Sequence, residues 1–221
     1  MKILIGCEES QEVCKAFRAK GFEAYSCDLQ ECSGGNPEWH LQMDVFEAIS
    51  LKKWDAAIFF PDCTYLTVTA NKWYKDQPAR KSGVLVGAER MAAREKAVQF
   101  FMSLYNCNVP IIAIENPIGV MSTRFRRPDQ IIQPYNFGHD ISKQTCLWLK
   151  GLPLLNNTEY FEPRITTEGK KRWGNQTDKD GSDITPNIPE RAKLRSKTRK
   201  GIATAMAQQW GDYIERKLKS N

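Results

Sequence analysis

A chain of 221 residues, 41% hydrophobic and 26% charged, with a mean hydropathy of −0.52, has the composition of one globular domain that buries its own core. That composition excludes disordered, collagenous and repeat-dominated chains, and no apolar run approaches the roughly 20 residues of a membrane helix. Residues 1–6 give way to polar residues too early for a secretory signal, so the reading is a cytoplasmic protein with no membrane partner. The net charge of +6, from 32 Lys and Arg against 26 Asp and Glu, is mild and compatible with a polyanionic partner. Seven scattered cysteines without a CxxC pair indicate neither a disulfide framework nor a zinc site, and no metal is expected.

In chain order, residues 2–6 form a short apolar strand ending in glycine. Glu8-Glu9-Ser10 follows as a helix start, with Val13 and Phe17 one turn apart. Gly21 closes that helix, residues 22–27 supply a second strand, and Asp28 sits where it stops. Residues 54–60 are continuously apolar, the pattern of a parallel strand covered on both faces, and read as the third strand. Met91, Val98, Phe101 and Tyr105 recur at helical spacing, and residues 109–114 make a fourth buried strand that ends at Glu115. Strands alternating with helices predict an α/β domain with a doubly wound, mostly parallel sheet, whose ligands bind at the carboxyl ends of the strands.

After Pro117 one further apolar stretch, 145–149, precedes Gly151. Residues 152–200 lack periodicity, and between Arg164 and Lys200 there are eleven Lys and Arg against five Asp and Glu, which predicts an irregular basic excursion that could contact phosphates or be a solvated loop. Ile202, Met206, Trp210 and Ile214, spaced by four, predict a helix over 201–218 docked on the core of a single domain spanning 1–221.

The residues with chemical potential lie at the predicted strand ends. Cys63, in Pro61-Asp62-Cys63, follows a buried strand and sits where a nucleophile would be presented at the rim of a sheet; a neighbouring Asp62 carboxylate would raise its thiol pKa. Glu115, in Glu115-Asn116-Pro117, brings a carboxylate to the same rim, where burial would keep it neutral and able to donate to a ring nitrogen. Taken singly, each has a plainer reading: a buried cysteine, and a carboxylate capping a turn. Together they are the pair required for thiol addition to C6 of a pyrimidine with a proton donor at N3. Tyr65, Lys72, Trp73 and Tyr74 after the cysteine, and Arg124, Arg126 and Arg127 after the glutamate, suit either a flipped or single-stranded base held by stacking and phosphate contacts or an ordinary solvated loop. His139 reads as a structural histidine.

Pro61-Asp62-Cys63, Glu115-Asn116 and the carboxylates Asp28 and Asp44 together resemble the cytosine-5 DNA methyltransferase family. The stretches Cys-Thr-Tyr-Leu-Thr, Ile-Glu-Asn-Pro-Ile, Gln-Pro-Tyr-Asn-Phe-Gly-His and Cys-Leu-Trp-Leu-Lys-Gly-Leu-Pro are similar to short phage-encoded relatives of that family over most of the chain. The resemblance implies a Rossmann-like methyltransferase fold, S-adenosylmethionine as cofactor, and methylation of cytosine C5 in duplex or single-stranded DNA, in the host cytoplasm for a phage-encoded enzyme. It implies that Cys63 attacks C6 and Glu115 contacts N3, that Asp28 holds the ribose hydroxyls and Asp44 the adenine amino group, and that Gly6, Glu8 and Pro61 border the cofactor. Tyr65, Asn116, Arg124, Arg126 and Lys143 would meet the substrate, Lys143 standing where the family carries an arginine motif.

The chain departs from the family where Gly6 leads into Cys7-Glu8-Glu9-Ser10 in place of a glycine-rich turn, which predicts a loop lined by side chains. It also leaves too little chain over 152–200 for a full target-recognition domain. Two other functions therefore stay open: a pyrimidine-nucleotide-modifying enzyme that uses the same Cys/Glu pair, and a catalytically inactive DNA-binding relative.

Overall fold

The computed structural model describes residues 1–78, 83–176 and 197–220. Strands β1 (Lys2–Gly6), β2 (Glu23–Asp28), β3 (His40–Gln42), β4 (Ala56–Phe59), β5 (Ile112–Pro117), β6 (Gln130–Ile132) and β7 (Thr145–Lys150) form one sheet in the order β3-β2-β1-β4-β5-β7-β6. Neighbouring strands from β3 to β5 pair in parallel, and β7 runs antiparallel to both β5 and β6. That order, with its one reversed strand, is the Rossmann-like methyltransferase fold.

Two cores cover the two faces of the sheet because successive side chains of a strand point opposite ways. Ile3 and Ile5 pack with Val13 and Phe17 of α1 (Glu12–Ala19) and with the C-terminal helices. Leu4 and Phe59 pack on the other side with Val45 of α2 (Val45–Leu51) and Phe101 of α3 (Gly87–Asn106). A single-turn helix, α4 (Met121–Arg124), precedes β6. Strands β1 and β4 are buried on both faces, as their unbroken apolar runs predict.

The C-terminal helix is more articulated than its spacing predicts. It comprises α5 (Lys200–Ala205), a π-helical turn (Met206–Trp210) and α6 (Gly211–Lys219). At 3.6 residues per turn each step of four overshoots a full turn by about 40°, and the wider π turn absorbs the drift. Ile202, Met206, Trp210 and Ile214 thereby all stay buried.

Other expectations are corrected. Residues 54–60 contain the fourth strand, because β3 is three residues long, has no buried position and carries no apolar pattern. Strand β5 starts at Ile112, later than 109, and continues through Glu115 and Asn116, which pair with Leu147 and Cys146. Met91, placed on the apolar stripe of α3, is 52% exposed. The excursion contains a small hairpin of β8 (Arg164–Ile165) and β9 (Lys171–Arg172); its part from 177 to 196 lies outside the described residues. Among the described residues no helix is long and apolar enough to cross a membrane.

Candidate active site

A cavity of about 840 Å³ opens at the carboxyl ends of β1, β2, β4 and β5, where the strand order places ligands in such sheets. Its volume is within the range of small-molecule sites. One wall is acidic. Residues 7–10 leave β1, Asp28 ends β2, and Asp44 follows β3. Cys7 has a φ of 59°, the left-handed conformation that glycine adopts freely, so the turn keeps a glycine-like path while presenting a side chain. Gly6 does not line the cavity. A Cβ there would lie 2.5 Å from the Phe59 ring, so the missing side chain lets β1 and β4 pack closely beneath the site.

Glu8 is 4% exposed, and its carboxylate accepts the amides of Val13 at 2.7 Å and Cys14 at 3.2 Å. The α1 N-terminus is therefore occupied by the protein's own carboxylate, and burial outweighs these bonds to push the Glu8 pKa up to about 7. Asp28 accepts the Gln30 amide at 3.0 Å, and Asp44 caps α2 through the Phe46 amide at 2.8 Å. Each uses one carboxylate oxygen in this way.

The opposite wall carries Pro61, Cys63, Glu115 and Asn116. Parallel pairing of β4 with β5 sets their ends side by side, and Asn116 Nδ2 donates to the Pro61 carbonyl at 2.8 Å. The turn after the cysteine is firmly held: the Cys63 carbonyl accepts the amides of Leu66 and Thr67, both at 3.0 Å. Asp62 accepts from the Thr64 amide at 2.9 Å and hydroxyl at 2.7 Å. From α3, Arg90 Nη2 donates to the Thr64 carbonyl at 3.2 Å and Arg94 Nε to the Tyr65 carbonyl at 2.9 Å.

Burial raises the Cys63 thiol pKa, Asp62 and Glu115 raise it further, and Lys143 opposes them. Glu115 is likewise raised by burial and lowered by Lys143. Glu115 Oε1 and Asn116 Oδ1 are buried without a hydrogen-bond partner. An orphaned buried acceptor is costly and rare, and here two of them belong to adjacent residues lining one cavity.

The cavity thus gathers Glu8, Asp28, Asp44, Pro61, Cys63, Glu115, Asn116 and Lys143. Tyr65, Arg124 and Arg126 do not join its lining. The Tyr65 ring lies 5.1 Å from the Arg90 guanidinium. Arg124 is exposed and paired with Glu95, and Arg126 is bound to Asp129, the Tyr105 hydroxyl and the Leu149 carbonyl. Tyr74 is also engaged: Arg94 sits 3.5 Å from its ring centroid and its hydroxyl donates to the Tyr65 carbonyl. His139 Nε2 accepts the Gly201 amide at 2.9 Å, a structural role. Phe100 and Thr198, which the sequence did not single out, also line the cavity, as does Lys197 from the basic stretch between Arg164 and Lys200.

Chemically, the acidic wall suits a ligand with hydroxyls, amino donors and positive charge. A pyrophosphate-bearing cofactor does not fit, because Glu8 fills the helix terminus it would need.

No protein-family model matches the chain, and no curated protein does. Among solved structures, the chain is similar to a protein from an Escherichia coli prophage named as a DNA modification methyltransferase, at 12% identity and a TM-score of 0.39. That likeness covers 67% of this chain and 46% of the other. It is also similar to an rRNA methylase from Escherichia coli (13% identity, TM-score 0.34, 67% and 56% covered) and to the 16S rRNA methylase RmtB (14%, 0.33, 67% and 55%). The chain thus spans about half the length of the structures it matches.

Proposed function

We propose that this protein is an S-adenosylmethionine-dependent methyltransferase that modifies cytosine C5 in DNA through a covalent adduct with Cys63. The observation that carries the reading is the placement of Cys63 and of the buried, partnerless Glu115 Oε1 in one cavity, facing an acidic wall. The Cys63 thiolate, its proton released to water, adds to C6 of the base while Glu115, whose pKa burial raises, gives its proton to N3 so that electron density moves to C5. Asn116 Oδ1 is a free acceptor beside it for the exocyclic amine. S-adenosylmethionine would supply a methyl group activated by its sulfonium; Asp28 would accept its ribose hydroxyls and Asp44 its adenine amino group. Its positive charge is what the wall of Asp28 and Asp44 favours. Once C5 carries the methyl group, loss of the C5 proton to water expels the Cys63 thiolate, and N3 returns its proton to Glu115.

The test is incubation with S-adenosylmethionine and DNA carrying 5-fluorocytosine, whose fluorine blocks the final elimination. The wild type should form an adduct that survives denaturation and Cys63→Ala should not. An adduct with Cys63→Ala, or no heat of binding for S-adenosylmethionine by calorimetry even with DNA present, overturns the reading.

A further inference from the structure

We infer that Lys143 and Lys197 form a phosphate subsite at the edge of the cavity, holding the phosphate of the nucleotide whose base reaches Cys63. The inference deepens the function proposed above and rests on it for the identity of the base.

The acidic groups of the cavity include Glu9, Asp28, Asp44, Asp62 and Glu115, and Lys143 and Lys197 are the cations among its described lining residues. Lys143 is near enough to Cys63 and Glu115 to act on both electrostatically. Two ammonium groups in a cavity that is otherwise acidic favour a ligand that brings a negatively charged group to them. A nucleotide bound base-first has that form, and Thr198 adds a hydroxyl to the same lining.

Segments close to the two lysines, although far apart in sequence, are tied to one turn. Just before Lys143, the Ser142 amide donates to Asn175 Oδ1 and Asn175 Nδ2 donates to the Ser142 carbonyl, both at 2.8 Å. The Gly174 amide donates to Asp140 Oδ1 at 2.7 Å. Just after Lys197, the Gly201 amide donates to His139 Nε2, and the Phe137 carbonyl occupies the place a Cβ on Gly201 would need. The β8–β9 hairpin and the start of α5 are thus both fastened to residues 137–142. Both lysines line the cavity, and anchoring of the segments beside them reduces the ordering cost of binding. A lysine ammonium serves phosphate as a point charge with several donors.

The phosphate could belong to a free nucleotide or to a DNA strand, and one calorimetric series at low salt separates them. Deoxycytidine, dCMP and an eight-residue single strand with one central cytosine are titrated into the full chain. With the subsite present, dCMP binds about tenfold or more tightly than deoxycytidine. The preference disappears in the Lys143→Met/Lys197→Met double variant and persists in Lys197→Arg. Octamer affinity well above that of dCMP assigns the phosphate to a strand, and affinity equal to it assigns a free nucleotide. Equal binding of deoxycytidine and dCMP, no measurable binding of dCMP, or a preference that survives in the double variant overturns the inference. No step requires methyl transfer, so a failed adduct experiment leaves this result readable.

Discussion

The Glu8 carboxylate accepts the Val13 amide at 2.7 Å, so the first turn of α1 is closed by a residue from the loop before it. This carboxyl is buried and its pKa is raised to about 7. A raised acid pKa means that the folded state holds the proton more tightly, so the contribution to stability is full below about pH 4.5 and is lost as pH rises through about 7. Denaturant midpoints of wild type and Glu8→Gln should therefore diverge across that window, the wild type losing up to about 3 kcal/mol that the variant keeps. A constant difference between the two proteins from pH 4.5 to 8 would contradict the assignment.

Alkylation of Cys63 by iodoacetamide should report its electrostatic surroundings. Because burial, Asp62 and Glu115 raise the thiol pKa and Lys143 lowers it, Asp62→Asn should shift the rate–pH profile to lower pH and Lys143→Met to higher pH. Shifts in the opposite directions would mean that these side chains do not face the sulfur.

Asp28 and Asp44 make a cofactor prediction that is independent of chemistry at the base. Loss of a charged hydrogen-bond partner costs about 1.5 to 3 kcal/mol, so Asp28→Ala should weaken S-adenosylmethionine binding by roughly 10- to 100-fold in calorimetry. Arg126→Ala, far from the cavity lining, should leave that affinity unchanged while lowering thermal stability. A weakened cofactor affinity in that variant would bring Arg126 back into the site.

Arg90 is 4% exposed, and its guanidinium donates to the Thr64 and Leu85 carbonyls. Arg90→Met leaves both carbonyls without that donor and frees the turn after Cys63, so under the proposed function kcat should fall by about tenfold or more with little change in KM for DNA. Slower Cys63 alkylation at constant pH would accompany it. A normal kcat in a folded Arg90→Met protein would reduce the arginine to a packing role.

Much of the site was legible before any coordinates because strand ends in a doubly wound sheet converge by topology. Once residues 54–60 and 109–114 read as neighbouring buried strands, Cys63 and Glu115 had to approach one another, and the parallel pairing of β4 and β5 brings both to one cavity. Asp28 and Asp44 follow from the same rule. Arg124 and Arg126 lie outside the cavity lining, paired with the carboxylates the fold brings near, Glu95 and Asp129.

The apolar runs and their periods alone determined the α/β class, the buried strands β1 and β4, and the docking face of the C-terminal helix, since burial leaves a local record in every residue it selects. Only the tertiary structure decided the rest. Strands β3 and β6, of three residues each, are too short to show a period, and β7 is reversed by the way it inserts between β5 and β6. Lys197 lines the cavity close in sequence to Gly201, which docks on Phe137 and His139. That contact joins segments some sixty residues apart and depends on shape and register across the packed domain, which no local pattern of residues encodes.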